Sequence, residues 1–156
     1  MDLRAKDFMS REFLTISPNA TIHEAIGTMK KAPASIKGRR IFGLMVINEN
    51  QNLVGMISMY DILYHIRPAS IKDDSDSNPL DWEIAFEKAL ASTKDMRVSN
   101  IMTRSVVTIT EDTHIMDVID TMIKKHIRRL PVVEDNKIVG IVYISDVFFE
   151  VYKKLL

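Results

Sequence analysis

Asp61 and Asp146 stand 85 positions apart, each a few residues after an apolar run that contains a glycine. Leu53-Val54-Gly55-Met56-Ile57 precedes the first, and Ile138-Val139-Gly140-Ile141-Val142 precedes the second. A carboxylate at such a junction can cap the first turn of a helix. It can also touch a ligand beside the unpaired N–H groups of that helix start, which favour an anion. The other charged constellation is Lys124-Lys125-His126-Ile127-Arg128-Arg129, directly ahead of an apolar run. Guanidinium forks match phosphate oxygens, although a basic run is also a common solvated face.

Catalytic groupings are missing from the sequence. There is no cysteine, and His23, His65, His114 and His126 lie far apart without paired-ligand spacing. With five glycines in all, no phosphate-cradling glycine string exists. Chemistry that needs a nucleophile with its base, or a metal cluster, therefore finds no candidates. The residues point to binding, not to an enzyme.

The elements that position these groups occur twice. Asp7-Phe8-Met9-Ser10 with Thr15-Ile16 returns as Asn100-Ile101-Met102-Thr103 with Thr108-Ile109, at a constant offset of 93. Ile22/Ile115, Ile26/Ile119 and Met29/Met122 keep that offset, and Gly55/Gly140 and Asp61/Asp146 resume at 85. In copy one the reading is a strand over 13–16 and a helix opened by Thr21-Ile22-His23-Glu24, which has capping-box spacing. Ile22, Ala25, Ile26 and Met29 make the apolar face of that helix. Two apolar strands around Asn48–Asn52 follow, then a helix capped by Asp61.

Copy two reads the same way: a strand over 106–109, a helix with Ile115, Val118, Ile119 and Met122 inward, a hairpin around Glu134–Lys137, and a helix capped by Asp146. Pro131 is expected at a strand start or edge, since it cannot donate to a ladder. Between the copies a polar stretch leads to a helix expected over 79–91, with Trp82, Ala85, Phe86 and Ala89 as its apolar stripe. The expected organisation is a first repeat over 5–65, a linker with helix over 66–97 and a second repeat over 98–156. Such half-sized copies are expected to pack on each other, with a ligand cleft between them.

Composition fits a globular protein: 46% hydrophobic, 27% charged and a formal net charge of zero over 156 residues. Nothing global attracts nucleic acid or an anionic membrane, and the basic run lacks an aromatic stacking platform. The charged N-terminus lacks a signal-peptide pattern, and charges interrupt the apolar C-terminal stretch. The expected compartment is the cytoplasm.

Taken in order, hydrophobic-Met-Ser/Thr, Thr-Ile, an apolar helix, Arg128-Arg129-Leu130-Pro131-Val132-Val133 and Gly140-Ile141-Val142-x-x-x-Asp146 resemble the cystathionine-β-synthase (CBS) domain repeat. The resemblance spans about residues 5–65 and 98–150. It implies a mixed α/β (α+β) fold of two β-α-β-β-α units, packed as a pseudo-twofold pair (a Bateman module). It also implies a regulatory adenosine ligand (AMP, ADP or ATP, with S-adenosylmethionine as an alternative), no obligatory cofactor, a homodimer and an effector protein.

On this chain the resemblance places a first cleft at Ser58 and Asp61 with Val106, Val107 and Thr108, and a phosphate side at His126, Arg128 and Arg129. A second, weaker cleft takes Thr15, Arg39, Arg40, Tyr143, Ser145 and Asp146. Tyr143 occupies its Ser/Thr position, and Arg39 and Arg40 lie in an insertion of copy one. A ligand-free dimerisation module is the alternative function.

Overall fold

The computed structural model describes residues 2–31, 43–67 and 81–156. In chain order the elements are α1 (Ala5–Phe8), β1 (Thr15–Ile16), α2 (Ile22–Lys31), β2 (Gly43–Ile47), β3 (Leu53–Ser58) and α3 (Met59–Ile66). Then come α4 (Trp82–Lys94), α5 (Val98–Ile101), α6 (Ile115–Lys125), β4 (Arg129–Glu134), β5 (Lys137–Tyr143) and α7 (Ile144–Leu155). They form two units. The first comprises Leu14–Glu49 and Val54–Ser105; the second takes the chain up to Phe13, with Asn50–Leu53 and Val106–Leu156.

Each unit joins the body of one copy to the leader of the other. In the first unit Ile22, Ala25, Leu44, Val46, Ile57 and Ile62 are buried together with Val98 and Met102, which precede copy two's body. In the second, Val118, Met122, Leu130, Val132, Val142 and Val147 are buried with Ala5, Phe8 and Met9 from the N-terminal leader. The four-residue helices α1 and α5 are too short to stand alone, so this burial is what holds them.

The leaders also add a backbone bridge. Met56 and Thr103 exchange N–H···O bonds of 2.9 and 2.8 Å, and Ser10 and Ile141 exchange bonds of 2.8 and 2.9 Å. Beside these bridges lie Gly55 and Gly140, the repeated glycines. A Cβ on Gly55 would stand 2.9 Å from the Thr103 carbonyl oxygen, and one on Gly140 2.9 Å from that of Ser10. Glycine recurs here because two backbones approach closely.

Helix α2 starts as its spacing predicts: Glu24 N–H donates to Thr21 Oγ1 at 3.1 Å, and Thr21 N–H to Glu24 Oε2 at 3.3 Å. Its inner face is narrower than expected. Ile22 and Ala25 are buried and Met29 half-buried, but Ile26 is 47% exposed. On α6 the expected Val118 and Met122 are buried, with Ile115 and Ile119 packed beside them. That helix is capped by His114, whose Nδ1 accepts the Met116 N–H at 3.1 Å.

The strand expected over 13–16 is confined to Thr15–Ile16, which pairs in parallel with Met45 and Val46 at the edge of a sheet ordered β1-β2-β3. The strand expected over 106–109 is reduced to a single parallel bridge, Ile109 to Val132. Pro131 supplies the reason. In the first unit Met45 N–H donates to the Leu14 carbonyl at 3.1 Å and carries the ladder one step further. Pro131 takes the place of Met45 and has no N–H to give Val107.

β4 and β5 form the expected antiparallel hairpin, with Pro131 inside β4 and opposite Ile141. Asp135 and Asn136 turn it with φ of 51° and 63°, as a two-residue type I′ turn requires. Helix α4 runs to Lys94, three residues past the expected end; the expected start at Asn78-Pro79 lies outside the described residues. It packs against α3 and α2. Ala85 and Ala89 of its stripe are half-buried, while Trp82 and Phe86 are about half exposed. Among the described residues no helix is long and apolar enough to cross a membrane.

Candidate functional site

The two aspartates sit one turn deeper than a cap. α3 begins at Met59 with Ser58 as its N-cap, so Asp61 occupies the third helical position. Ser58 Oγ accepts the Asp61 N–H at 3.4 Å, and Asp61 Oδ2 accepts both the Ser58 N–H at 2.9 Å and the Ser58 hydroxyl at 3.0 Å. Ser58-x-x-Asp61 is therefore a capping box. Asp146 likewise holds the third position of α7, behind Tyr143 as N-cap. The expectation that each aspartate caps its helix directly is corrected in both copies.

The capping box fixes what Asp61 can offer a ligand. An ionised carboxylate has about four acceptor positions, two per oxygen. Oδ2 uses both on Ser58. Oδ1 accepts one bond, from the Thr103 hydroxyl at 3.2 Å. Asp61 is half-buried and Thr103 exposed, so Oδ1 and the Thr103 hydroxyl form one accessible polar pair. Thr103 was not among the sequence candidates. Its signal was the Met-Ser/Thr pair of the repeat, but only the leader bridge to Met56 brings it to Asp61. Ser10, its counterpart, is fully buried and donates to the Glu12 carbonyl at 3.1 Å.

The remaining candidates distribute as follows. Thr15 lies half-buried in β1 of the first unit, with Ser58 and Asp61. The second unit holds Val106, Val107 and Thr108, His126, Arg128 and Arg129, and Tyr143, Ser145 and Asp146. Within it Arg129 pairs with Tyr143 across the hairpin, and the Arg128 carbonyl accepts the Ile144 N–H at 2.9 Å. The basic pair of one predicted cleft thus adjoins the tyrosine of the other. Val106 and Val107 are half-buried and Thr108 exposed, outside any ladder. His126 is the exposed left-handed residue that ends α6, with φ of 53°. Arg39 and Arg40 lie outside the described residues. Among the described residues no group of three or more His, Asp or Glu side chains could hold a metal ion.

Two α/β bodies, each completed by a Met-Ser/Thr leader and each carrying an aspartate one turn into the helix after its glycine strand, define a tandem-repeat architecture. The CBS domain model matches residues 5–68 and 98–153, and the chain belongs to that family. It is 31% identical over 138 residues to the chloroplastic CBS domain-containing protein CBSX1 of Arabidopsis thaliana, covering 84% of this chain and 58% of that protein. The chain thus spans little more than half of that relative's length. A crystal structure of CBSX2 in complex with AMP matches with a TM-score of 0.70 at 25% identity, over 98% of both chains. The CBS domain pair of protein MJ0100, in complex with 5′-methylthioadenosine and S-adenosyl-L-methionine, matches with a TM-score of 0.69 at 28% identity, over 99% of both.

Proposed function

We propose that this chain is a regulatory module that binds an adenosine compound (AMP, ADP or ATP) and passes the binding event to an effector protein. The observation that carries the reading is the Asp61 carboxylate. It is locked by Ser58 and backed by Thr103, with an acceptor position still open on Oδ1 for a ribose hydroxyl. His126, Arg128 and Arg129 are the phosphate-facing candidates, and Val106, Val107 and Thr108 the base-lining ones. The AMP complex of CBSX2 supports an adenine nucleotide, and the ligands of MJ0100 keep S-adenosylmethionine as a second candidate. Asp146 stands behind a tyrosine in place of a serine, so its site is the weaker one.

The module is proposed to act as a cytoplasmic homodimer, regulatory and not catalytic. Tyr60, Leu63 and Tyr64 on α3 and Phe148, Phe149 and Tyr152 on α7 are exposed apolar side chains that self-association would cover. Sedimentation of the full chain reads the oligomeric state. The binding test is a thermal-shift series with AMP, ADP, ATP, S-adenosylmethionine and GTP. A ligand at about 100 times its Kd adds about 2.7 kcal/mol. The expected outcome is a rise with one adenosine compound and none with GTP, lost in Asp61→Ala and largely kept in Asp146→Ala. Equal losses overturn the ranking of the sites, and no rise with any compound favours a ligand-free dimerisation module.

A further inference from the structure

Asp61 Oδ1 does not stand alone at the surface of the first unit; the Thr103 hydroxyl oxygen stands beside it. An ionised carboxylate only accepts, so in their 3.2 Å bond the proton belongs to Thr103 and points at Oδ1. With that proton committed, Thr103 Oγ1 presents two lone pairs and nothing to donate. Oδ1 keeps one acceptor position, while Oδ2 is spent on the Ser58 N–H at 2.9 Å and the Ser58 hydroxyl at 3.0 Å. The result is acceptor beside acceptor, one charged and one neutral.

Both members are fixed by the same strand end. Thr103 exchanges backbone bonds of 2.9 and 2.8 Å with Met56, and Asp61 is clamped by Ser58, two residues further along β3. Little ordering is therefore left for a ligand to impose. The second unit lacks the counterpart among its described residues. Ser10 stands in the place of Thr103, is fully buried and gives its proton to the Glu12 carbonyl at 3.1 Å.

We propose, resting on the adenosine reading of this site, that Thr103 is a specificity-determining residue: with Asp61 it reads the cis-diol of a ribose, one hydroxyl on each oxygen. Two acceptors 3.2 Å apart match two O–H donors on adjacent ring carbons. They turn away oxygens that only accept, such as those of a phosphate dianion. The site thus selects a ribonucleoside over its deoxy forms, whatever the 5′ position carries. The two hydroxyls are not equivalent. The one on Asp61 meets a charged acceptor, worth about 10- to 100-fold in affinity, and the one on Thr103 a neutral acceptor, worth about fivefold.

Calorimetric titration of the full chain with AMP, ADP and ATP, and with the 2′-deoxy and 3′-deoxy form of each, tests this. The wild type is expected to bind one deoxy form about 10- to 100-fold more weakly than the ribose parent and the other about fivefold more weakly. Thr103→Val keeps the shape of the side chain and removes its hydroxyl. It is expected to weaken the ribose parent about fivefold, to abolish the smaller of the two deoxy losses and to keep the larger. Thr103→Ser restores the hydroxyl and is expected to restore both losses. Either deoxy form bound as tightly as its parent by the wild type, or the smaller loss unchanged in Thr103→Val, overturns the role of Thr103 and leaves the adenosine reading standing. No binding of any of these nucleotides overturns that reading and the diol recognition with it.

Discussion

Gly55→Ala puts the leader exchange to a quantitative test. The new Cβ would lie 2.6 Å from Met102 Sδ and 2.9 Å from the Thr103 carbonyl oxygen. The methionine end can swing away. The carbonyl cannot, because it accepts the Met56 N–H at 2.9 Å while Thr103 N–H donates back at 2.8 Å. Restoring an ordinary contact of 3.4 Å moves that backbone by about 0.5 Å and strains both bonds. Overpacking costs about 1–3 kcal/mol, and each weakened bond forfeits part of about 0.5–1.5 kcal/mol. The expected loss is about 2–4 kcal/mol, which moves a urea midpoint by about 1–2 M at an ordinary slope.

Gly27→Ala is the control. It lies within α2 with nothing within 4 Å of its Cβ, so alanine there should stabilise by about 0.5–1 kcal/mol through helix propensity. Urea denaturation followed by circular dichroism reads both variants. A Gly55→Ala midpoint within about 0.5 kcal/mol of wild type, or the same sign for both variants, refutes the close approach of leader and strand.

Two further substitutions probe local backbone choices. His126→Gly relieves a left-handed non-glycine residue and should raise the urea midpoint by about 0.5–1 kcal/mol equivalent; a fall would mean the side chain contributes more than its φ costs. Pro131→Ala returns the N–H that the second unit lacks, and the amide of residue 131 should then be as well protected from exchange as that of Met45, with rapid exchange at 131 alone showing that the ladder stops at Ile109 for another reason.

The sequence by itself determined the duplication, the mixed α/β class and most elements, because these depend on local patterning. Thr21 and Glu24, three residues apart, cap α2 wherever the helix packs, and the apolar period of α6 selects its buried face. The Asp135-Asn136 turn follows from two residues tolerant of positive φ. Family membership was legible for the same reason, as an ordered set of short motifs occurring twice.

Tertiary structure decided what depends on distant segments. That Met9 and Phe8 finish the core of copy two, and Met102 and Val98 that of copy one, leaves no local trace, since Ser10 and its partner Ile141 are 131 residues apart. The same exchange brings Thr103 to Asp61, where it takes one of the two acceptor positions on Oδ1. Ser58, not Asp61, proved to be the cap, because a serine at a strand end and an aspartate three residues on satisfy each other's donors. Pro131 cut a strand that its apolar neighbours promised, by withholding a single hydrogen bond. Patterning specifies which elements form; which side chains face a ligand is set by the packing of segments that the chain order keeps apart.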